Sequence, residues 1–355
     1  MADRVAVRDD LAGVVPYGAP QLDVPVRLNT NETPFPPPAA FAEHLAKRVA
    51  GLDLNRYPDR RATALRAGLG ARFGLPPERV WAANGSNEVL LQLFQAYGGP
   101  GRRLLLVRPG YSAHPLIARV ANTDSVAVDL DDDFCLSPAA ARAAVAHHDP
   151  DVVCVASPNN PTGVAFGRDV VRALHDASRA LVVVDEAYVE FAGTPDLSAA
   201  ALLDELPRLV VCRTFSKAWR LAGLRLGYLL AHDWVVDDLR KVRLPYHLDA
   251  LTQEAGLVAL ALADEVTAHV AELVAERDRL AAALAATPGV HVWPSTANFV
   301  LFRTAVPDLF DRLLAHGVLV RDFSAAPRLA GCLRVSVGTP EENDAFLAAL
   351  GDSLR

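Results

Sequence analysis

The sequence predicts an α/β protein: a large domain with a mostly parallel seven-stranded sheet between helices, followed by a small α+β domain. Two patterns and a length carry this. From Val80 onward short apolar runs recur at Val80–Ala83, Leu104–Val107, Ser125–Val128, Val152–Ala156, Leu181–Val184, Leu209–Cys212 and Gly227–Leu230, with helical segments between most of them. Runs that stay apolar at successive positions are strands covered on both faces, as in parallel sheets layered by helices. After about Leu244 the texture changes to an Ala-, Leu-, Glu- and Arg-rich stretch over Thr252–Ala286, ended by Pro288-Gly289. The 355 residues suit two domains, at about 150 residues each.

The elements follow in order. Residues 1–28 read as irregular, because Pro16-Tyr17-Gly18 and Pro20 interrupt any helix. Leu28-Asn29-Thr30-Asn31-Glu32-Thr33 is a polar turn closing in the stiff run Pro34-Phe35-Pro36-Pro37-Pro38, which on composition alone is also a plain linker. A helix is expected over Ala39–Val49, then an extended loop at Asn55-Arg56-Tyr57-Pro58-Asp59, where Pro58 disfavours helix at Tyr57. The stretch Thr252–Ala286 reads as one long helix or two. Beyond it come a strand Phe299–Arg303, a helix Asp308–His316, strands Val318–Arg321 and Leu333–Val337, and a helix Glu341–Leu350. The expected division is 1–45 as an N-terminal segment packing on the small domain, 46–245 as the large domain and 246–355 as the small one.

Composition narrows the classes of function. Hydrophobic residues make up 51% and charged residues 22%, enough for a large core and against disorder. A net charge of −7 disfavours nucleic-acid and anionic-membrane partners. Cys135, Cys154, Cys212 and Cys332 show no CxxC pairing, and Cys154 and Cys212 lie inside apolar runs, as buried free thiols do. With neither a leader pattern nor an apolar run of about 18 residues, the expectation is a soluble, cytoplasmic protein.

The chemistry is concentrated where Leu209-Val210-Val211-Cys212 empties into Arg213-Thr214-Phe215-Ser216-Lys217, with Arg225 eight residues later. A lysine held at a sheet edge forms a Schiff base with a carbonyl once its pKa is lowered, and burial together with Arg225 predicts that lowering for Lys217. Thr214 and Ser216 are suited to donate to phosphate oxygens and Arg225 to grip the same phosphate. A lysine with a phosphate clamp is what pyridoxal phosphate needs; a capped strand-to-helix turn is the bland alternative. Gly85-Ser86-Asn87 opens a helix after the first strand, either an anion site or a plain N-cap. Asn160 is stiffened by the flanking prolines of Ser157-Pro158-Asn159-Asn160-Pro161-Thr162-Gly163. Asp185 directly follows an apolar strand, where a carboxylate needs a cationic partner such as a pyridinium nitrogen, unless it only caps a helix. Tyr188 is placed to reach the ring oxygen, and Tyr111 to stack on the ring or simply pack. All these groups sit on loops after strands, the end of a parallel sheet where ligands bind. Arg321 and Arg334, at strand ends of the second domain, are candidates for a substrate carboxylate or phosphate, or else solvated.

These motifs resemble the fold-type I pyridoxal-phosphate aminotransferases of the aspartate aminotransferase superfamily, from about Tyr17 to the C-terminus. The narrower resemblance is to the histidinol-phosphate aminotransferases. It rests on Pro16-Tyr17, Leu28-Asn29-Thr30-Asn31-Glu32, Leu244-Pro245-Tyr246-His247-Leu248, Val320-Arg321-Asp322 and the run Gly331–Gly338. It implies Lys217 as the catalytic, cofactor-bearing lysine. Gly85, Ser86, Asn87, Tyr111, Asn160, Asp185, Tyr188, Thr214, Ser216 and Arg225 are then cofactor ligands, with Tyr57 reaching the phosphate held by the other subunit of a homodimer. Tyr17, Asn31, Arg321 and Arg334 become substrate ligands, and no metal is implied. The implied reaction is transamination between histidinol phosphate and 2-oxoglutarate in histidine biosynthesis. An aromatic amino-acid aminotransferase shares the cofactor residues, and a phospho-amino-acid decarboxylase shares the fold. Thr33, Gly110 and the pair Trp219-Arg220 depart from the family pattern.

Overall fold

The computed structural model describes residues 5–16 and 18–355. After a short 3-10 helix at Asp9–Leu11 come strand β1 (Val26–Arg27) and helices α1 (Ala39–Val49) and α2 (Thr63–Phe73). An alternating series follows: β2 (Val80–Ala83), α3 (Ser86–Tyr97), β3 (Arg103–Arg108), α4 (Ala113–Val120), β4 (Asp124–Asp129), α5 (Pro138–His148), β5 (Val152–Ala156), α6 (Arg168–Asp176) and β6 (Leu181–Asp185). Strands β7 (Leu209–Thr214) and β8 (Gly227–Leu230) precede the helices α7 (Asp233–Val242), α8 (Ala250–Ala261), α9 (Ala263–Thr267) and α10 (Val270–Ala285). The C-terminal part comprises β9 (Val290–Val292), β10 (Phe299–Thr304), α11 (Leu309–Ala315), β11 (Val318–Leu319), β12 (Arg321–Asp322), β13 (Cys332–Ser336) and α12 (Pro340–Ser353).

The large sheet has the order β2-β8-β7-β6-β5-β3-β4. Only β8 runs against its neighbours, pairing antiparallel with both β2 and β7. Alternate residues of each strand enter different cores, as the two-residue side-chain period requires. Leu105, Val153, Val182 and Val211 meet α2, α5, α6 and α8 on one face, while Leu104, Cys154, Val183 and Val210 meet α3, α4 and α7 on the other. That two-sided cover is why the strands carry no polar alternation. The parallel strands also end together, so the loops after β2, β3, β5, β6 and β7 share one edge.

A second sheet, β12-β13-β10-β9, is antiparallel throughout. Val300, Phe302, Leu333 and Val335 bury against α10, α11 and α12. Thr339 and Glu342 close a capping box, with Pro340 at the first turn of α12. The N-terminal β1 pairs parallel with β11, and Leu28 enters this same core.

Three expectations need correction. The stretch read as one helix or two is three, interrupted at Leu262, whose φ of −109° and ψ of 28° leave the helical range, and again at Ala268-His269. The run Val318–Arg321 is split between two sheets, β11 pairing with β1 and β12 with β13. The irregular N-terminal region contains β1, whose two residues are too few to show a period. Helix α2 and strand β9 add to the expected elements.

Candidate active site

Strand β7 is buried along its whole length and delivers Lys217 three residues beyond its end. The turn between is fixed by hydroxyls: Ser216 N–H donates to Thr214 Oγ1 at 3.1 Å, and Thr214 Oγ1–H to Ser216 Oγ at 3.0 Å. Lys217 is half-buried on the wall of a cleft of about 230 Å³. Its Nζ donates to Thr30 O at 2.9 Å and stands 5.9 Å from the centre of the Tyr188 ring. Burial lowers its pKa to about 8, helped by Arg334 and then Arg225 and opposed by Glu32. Sequence reasoning named burial and Arg225; the stronger cation, Arg334, arrives from the other sheet.

Beside Lys217 lies a cradle shaped for an anion. Gly85 precedes α3 with a φ of 82° and no side chain caps the helix start, so its first N–H groups face the cleft with the helix dipole behind them. Arg225 donates from Nη1 to Ser216 Oγ at 3.3 Å and adopts a φ of 55°. A Cβ at position 85 would stand 2.7 Å from Arg225 Nη2, so glycine is required both by backbone sign and by the guanidinium beside it. Ser86, Asn87, Thr214 and Ser216 complete this side of the cleft. Five donor groups and a helix N-terminus, with no acidic side chain among them, fit a phosphate dianion.

Across the cleft Asp185 ends β6 and is 3% exposed. Its Oδ1 accepts from Ala187 N–H at 3.2 Å, and its Oδ2 from His114 Nε2–H at 3.2 Å. His114 is fully enclosed; burial works against its charge, but Cys154 and Asp185 outweigh that and raise its pKa. Sequence reasoning missed His114. The available signal was its position three residues after Tyr111, near the start of α4, and the two rings meet edge to face at 5.1 Å. Tyr188 OH accepts from Asn31 Nδ2 at 3.0 Å and from Asn160 Nδ2 at 3.4 Å. An aromatic face from Tyr111, a buried carboxylate from Asp185 and the polar groups of Asn160 and Tyr188 line the same space and would suit the ring of pyridoxal phosphate.

Two arginines close the far side. Arg321 and Arg334 are register partners on β12 and β13 and both line the cleft. Arg334 Nη1 donates to Asn160 Oδ1 at 2.6 Å and Nη2 to Asn29 O at 2.7 Å, tying the small sheet to both the β5 loop and the N-terminal segment. Arg321 Nη1 donates to Gly18 O at 3.2 Å. Asn31, at a φ of 55°, is locked by Ser336 Oγ, which accepts from its backbone N–H at 2.8 Å and donates to its Oδ1 at 3.0 Å. Thus Gly85, Ser86, Asn87, Tyr111, Asn160, Asp185, Tyr188, Thr214, Ser216, Lys217, Arg225, Asn31, Arg321 and Arg334 lie in or directly against one cleft.

Tyr57 does not join them within one chain. It is 79% exposed and stacks on Tyr246, with ring centres 4.2 Å apart. Tyr17 lies outside the described residues. The departures have local explanations in two cases. A Cβ at Gly110 would stand 2.5 Å from Val107 O. Trp219 fills the core against Phe215, and Arg220 donates from Nε to His269 Nδ1 at 2.7 Å and from Nη1 to Pro36 O at 3.0 Å. Thr33 Oγ1 accepts from Phe35 N–H at 3.4 Å, and nothing further in the structure explains it.

The family of aminotransferases of class I and II matches residues 24–350. A histidinol-phosphate aminotransferase of Frankia casuarinae is 51% identical over 99% of this chain and 91% of its own length. One of Thermobifida fusca is 50% identical over 98% of this chain and 95% of its own. The solved structure of a histidinol-phosphate aminotransferase from Sinorhizobium meliloti, in complex with pyridoxal-5'-phosphate, superposes with a TM-score of 0.85 at 27% identity, covering 94% of this chain and 91% of that one. With its strand-end lysine, its anion cradle and its buried aspartate in one cleft, the chain belongs to the class I and II aminotransferases.

Proposed function

We propose that the protein is a pyridoxal-phosphate-dependent histidinol-phosphate aminotransferase of histidine biosynthesis, exchanging the amino group reversibly between histidinol phosphate and 2-oxoglutarate. The relatives at about half identity over nearly the whole chain support this reading. The observation that carries it is the doubled anion recognition of the cleft: Arg225 and the α3 start on one side of Lys217, Arg321 and Arg334 on the other. One anion site suits the cofactor phosphate. The second suits the phosphate of histidinol phosphate and, in the return half of the cycle, a carboxylate of 2-oxoglutarate or glutamate.

When bound, the pyridoxal ring supplies the electron sink that lets a proton leave the carbon bearing the amino group. The chain's own residues do the rest. Asp185, braced by His114 and the Ala187 N–H, would hold its carboxylate for the ring nitrogen. Asn160 and Tyr188 would serve the ring oxygen, and Tyr111 would pack against the ring. Lys217, with a pKa near 8, is part amine at neutral pH and so takes the proton at Nζ and returns it. Arg334 orients the substrate anion because Asn160 and Asn29 fix its fork.

The reading includes a homodimer. Tyr57 and Tyr246 stack while exposed, and Leu54 and Leu244, close to them in the chain, are exposed too; exposed apolar surface of this kind marks interfaces. Among the described residues no helix is long and apolar enough to cross a membrane.

The test is a two-substrate assay on the purified holoenzyme. Turnover with histidinol phosphate and 2-oxoglutarate, and its loss in Lys217→Ala, is expected. A kcat/KM for phenylalanine above that for histidinol phosphate would replace the substrate assignment. Carbon dioxide release without a keto acid would replace the reaction class.

A further inference from the structure

Away from the cleft, five arginines converge on one small cavity that no acidic side chain lines. Arg60 and Arg61 come from the loop after Tyr57, Arg66 from α2, and Arg240 and Arg243 from the end of α7; Trp81 of β2 provides an apolar wall. The space is about 140 Å³ and shares no lining residue with the Lys217 cleft.

The hydrogen bonds around the cavity leave most of its charge uncompensated. Arg66 is buried and spends its fork on carbonyls: Nε on Val80 O and Nη2 on Pro77 O, both at 2.6 Å, and Nη1 on Arg61 O at 3.4 Å. Among the described residues only Arg240 of the five has a carboxylate partner, Asp237 at 2.5 Å. Nε and Nη1 of Arg243 are shut off from solvent and donate to nothing, while its guanidinium lies 5.8 Å from the Trp81 ring centre. The charges are felt locally. Burial, then Arg240, lowers Arg66 to about 10, with Arg61 adding and Glu78 and Asp59 opposing. Burial, then Arg60, Arg240 and Arg61, lowers Arg243, with Tyr246 opposing.

Like charges gathered around enclosed, unbonded donors repel one another unless an anion enters among them. Guanidinium forks match the oxygens of a tetrahedral oxyanion, and more than one fork favours a doubly charged one. Water takes roughly 30 Å³ per molecule in the liquid, so the cavity admits one hydrated phosphate group and not a chain. We propose that the arginine-lined cavity at Trp81 is a second anion site that takes a phosphate-class dianion, either free or at the end of a small phosphate ester.

The test is calorimetric titration of the cofactor-loaded enzyme with inorganic phosphate and then with phenyl phosphate. It compares wild type with Arg243→Gln, with Arg60→Gln as an exposed substitution that leaves the core intact, and with Arg321→Gln in the substrate cleft. Expected is a phosphate site that survives Arg321→Gln and weakens about tenfold or more in Arg243→Gln, the loss that follows from one charged hydrogen-bonding group. Equal binding of phenyl phosphate assigns the site to esters, and binding of phosphate alone assigns it to the free ion. Affinity unchanged in both Arg243→Gln and Arg60→Gln overturns the proposal. So does a titration lost only in Arg321→Gln, or one with no binding in wild type because a second copy of the chain fills the cavity.

Discussion

Replacing Lys217 by methionine is expected to stabilise the cofactor-free protein while abolishing transamination. The ammonium is held at a pKa near 8 against an ordinary value of 10.5, a difference worth about 3 kcal/mol if water did not relieve it. Methionine has a similar length, needs no solvation and meets neither Arg334 nor Arg225 unfavourably. Against this gain stand the water in the open cleft and the lost bond to Thr30 O, which together reduce the net to about 1–2 kcal/mol. The sign follows from proton linkage. Below pH 8 both folded and unfolded chains carry the proton and the cost is full. Between pH 8 and 10.5 the unfolded chain still holds it while the folded one has released it, so wild-type stability rises with pH. Urea melts of apo wild type and Lys217→Met should therefore differ at pH 7 and nearly converge at pH 10. A variant no more stable than wild type at pH 7, or a gain identical at both pH values, refutes the reasoning.

Three further outcomes follow from the same geometry. Gly85→Ala puts a Cβ 2.7 Å from Arg225 Nη2 at a φ of 82°, so the dissociation constant for pyridoxal phosphate should rise roughly tenfold or more; equilibrium dialysis measures it, and unchanged affinity counts against the cradle. Mixed dimers of Tyr57→Ala with Lys217→Ala, prepared by co-expression, should recover part of the activity that each pure variant lacks, since one site then receives both an intact lysine and the partner's tyrosine; no recovery removes Tyr57 from the site. His269 is buried with a pKa near 4, lowered by burial and then by Arg220, so stability should fall as pH drops from 6.5 to 4, and His269→Gln, which cannot titrate, should flatten that fall in acid urea melts.

The lysine side of the cleft was legible because most of its groups follow fully buried strands. Continuous apolar runs mark β5, β6 and β7, and what comes next in the chain, Asn160, Asp185 or Lys217, is forced to the same sheet edge. What escaped is whatever depends on pairs far apart in sequence. The Thr30 carbonyl that holds Lys217 is a backbone group with no residue signature. Arg334 was visible as an arginine, but its grip on Asn160 and its influence on Lys217 come from packing one sheet against the edge of another. Local pattern also could not orient β8, since an apolar four-residue strand reads the same in either direction.

Under the proposed function, Arg334 links substrate recognition to the proton chemistry. Its guanidinium is the strongest cation lowering Lys217, ahead of Arg225, and it is held in place from the β5 loop and the N-terminal segment. An anion that docks on Arg334 cancels part of that field, so the amine becomes a stronger base at the moment a substrate is present to lose its proton. Glutarate, which has the two carboxylates of 2-oxoglutarate but neither carbonyl nor amine, isolates this effect. The pH midpoint for labelling Lys217 in the cofactor-free protein should lie near 8 and move upward with glutarate. Arg334→Gln should start from a higher midpoint and respond less, because the charge that the ligand would cancel has already gone. A midpoint indifferent to glutarate in wild type, or an equal response in the variant, would mean that Arg334 binds the substrate without adjusting the base.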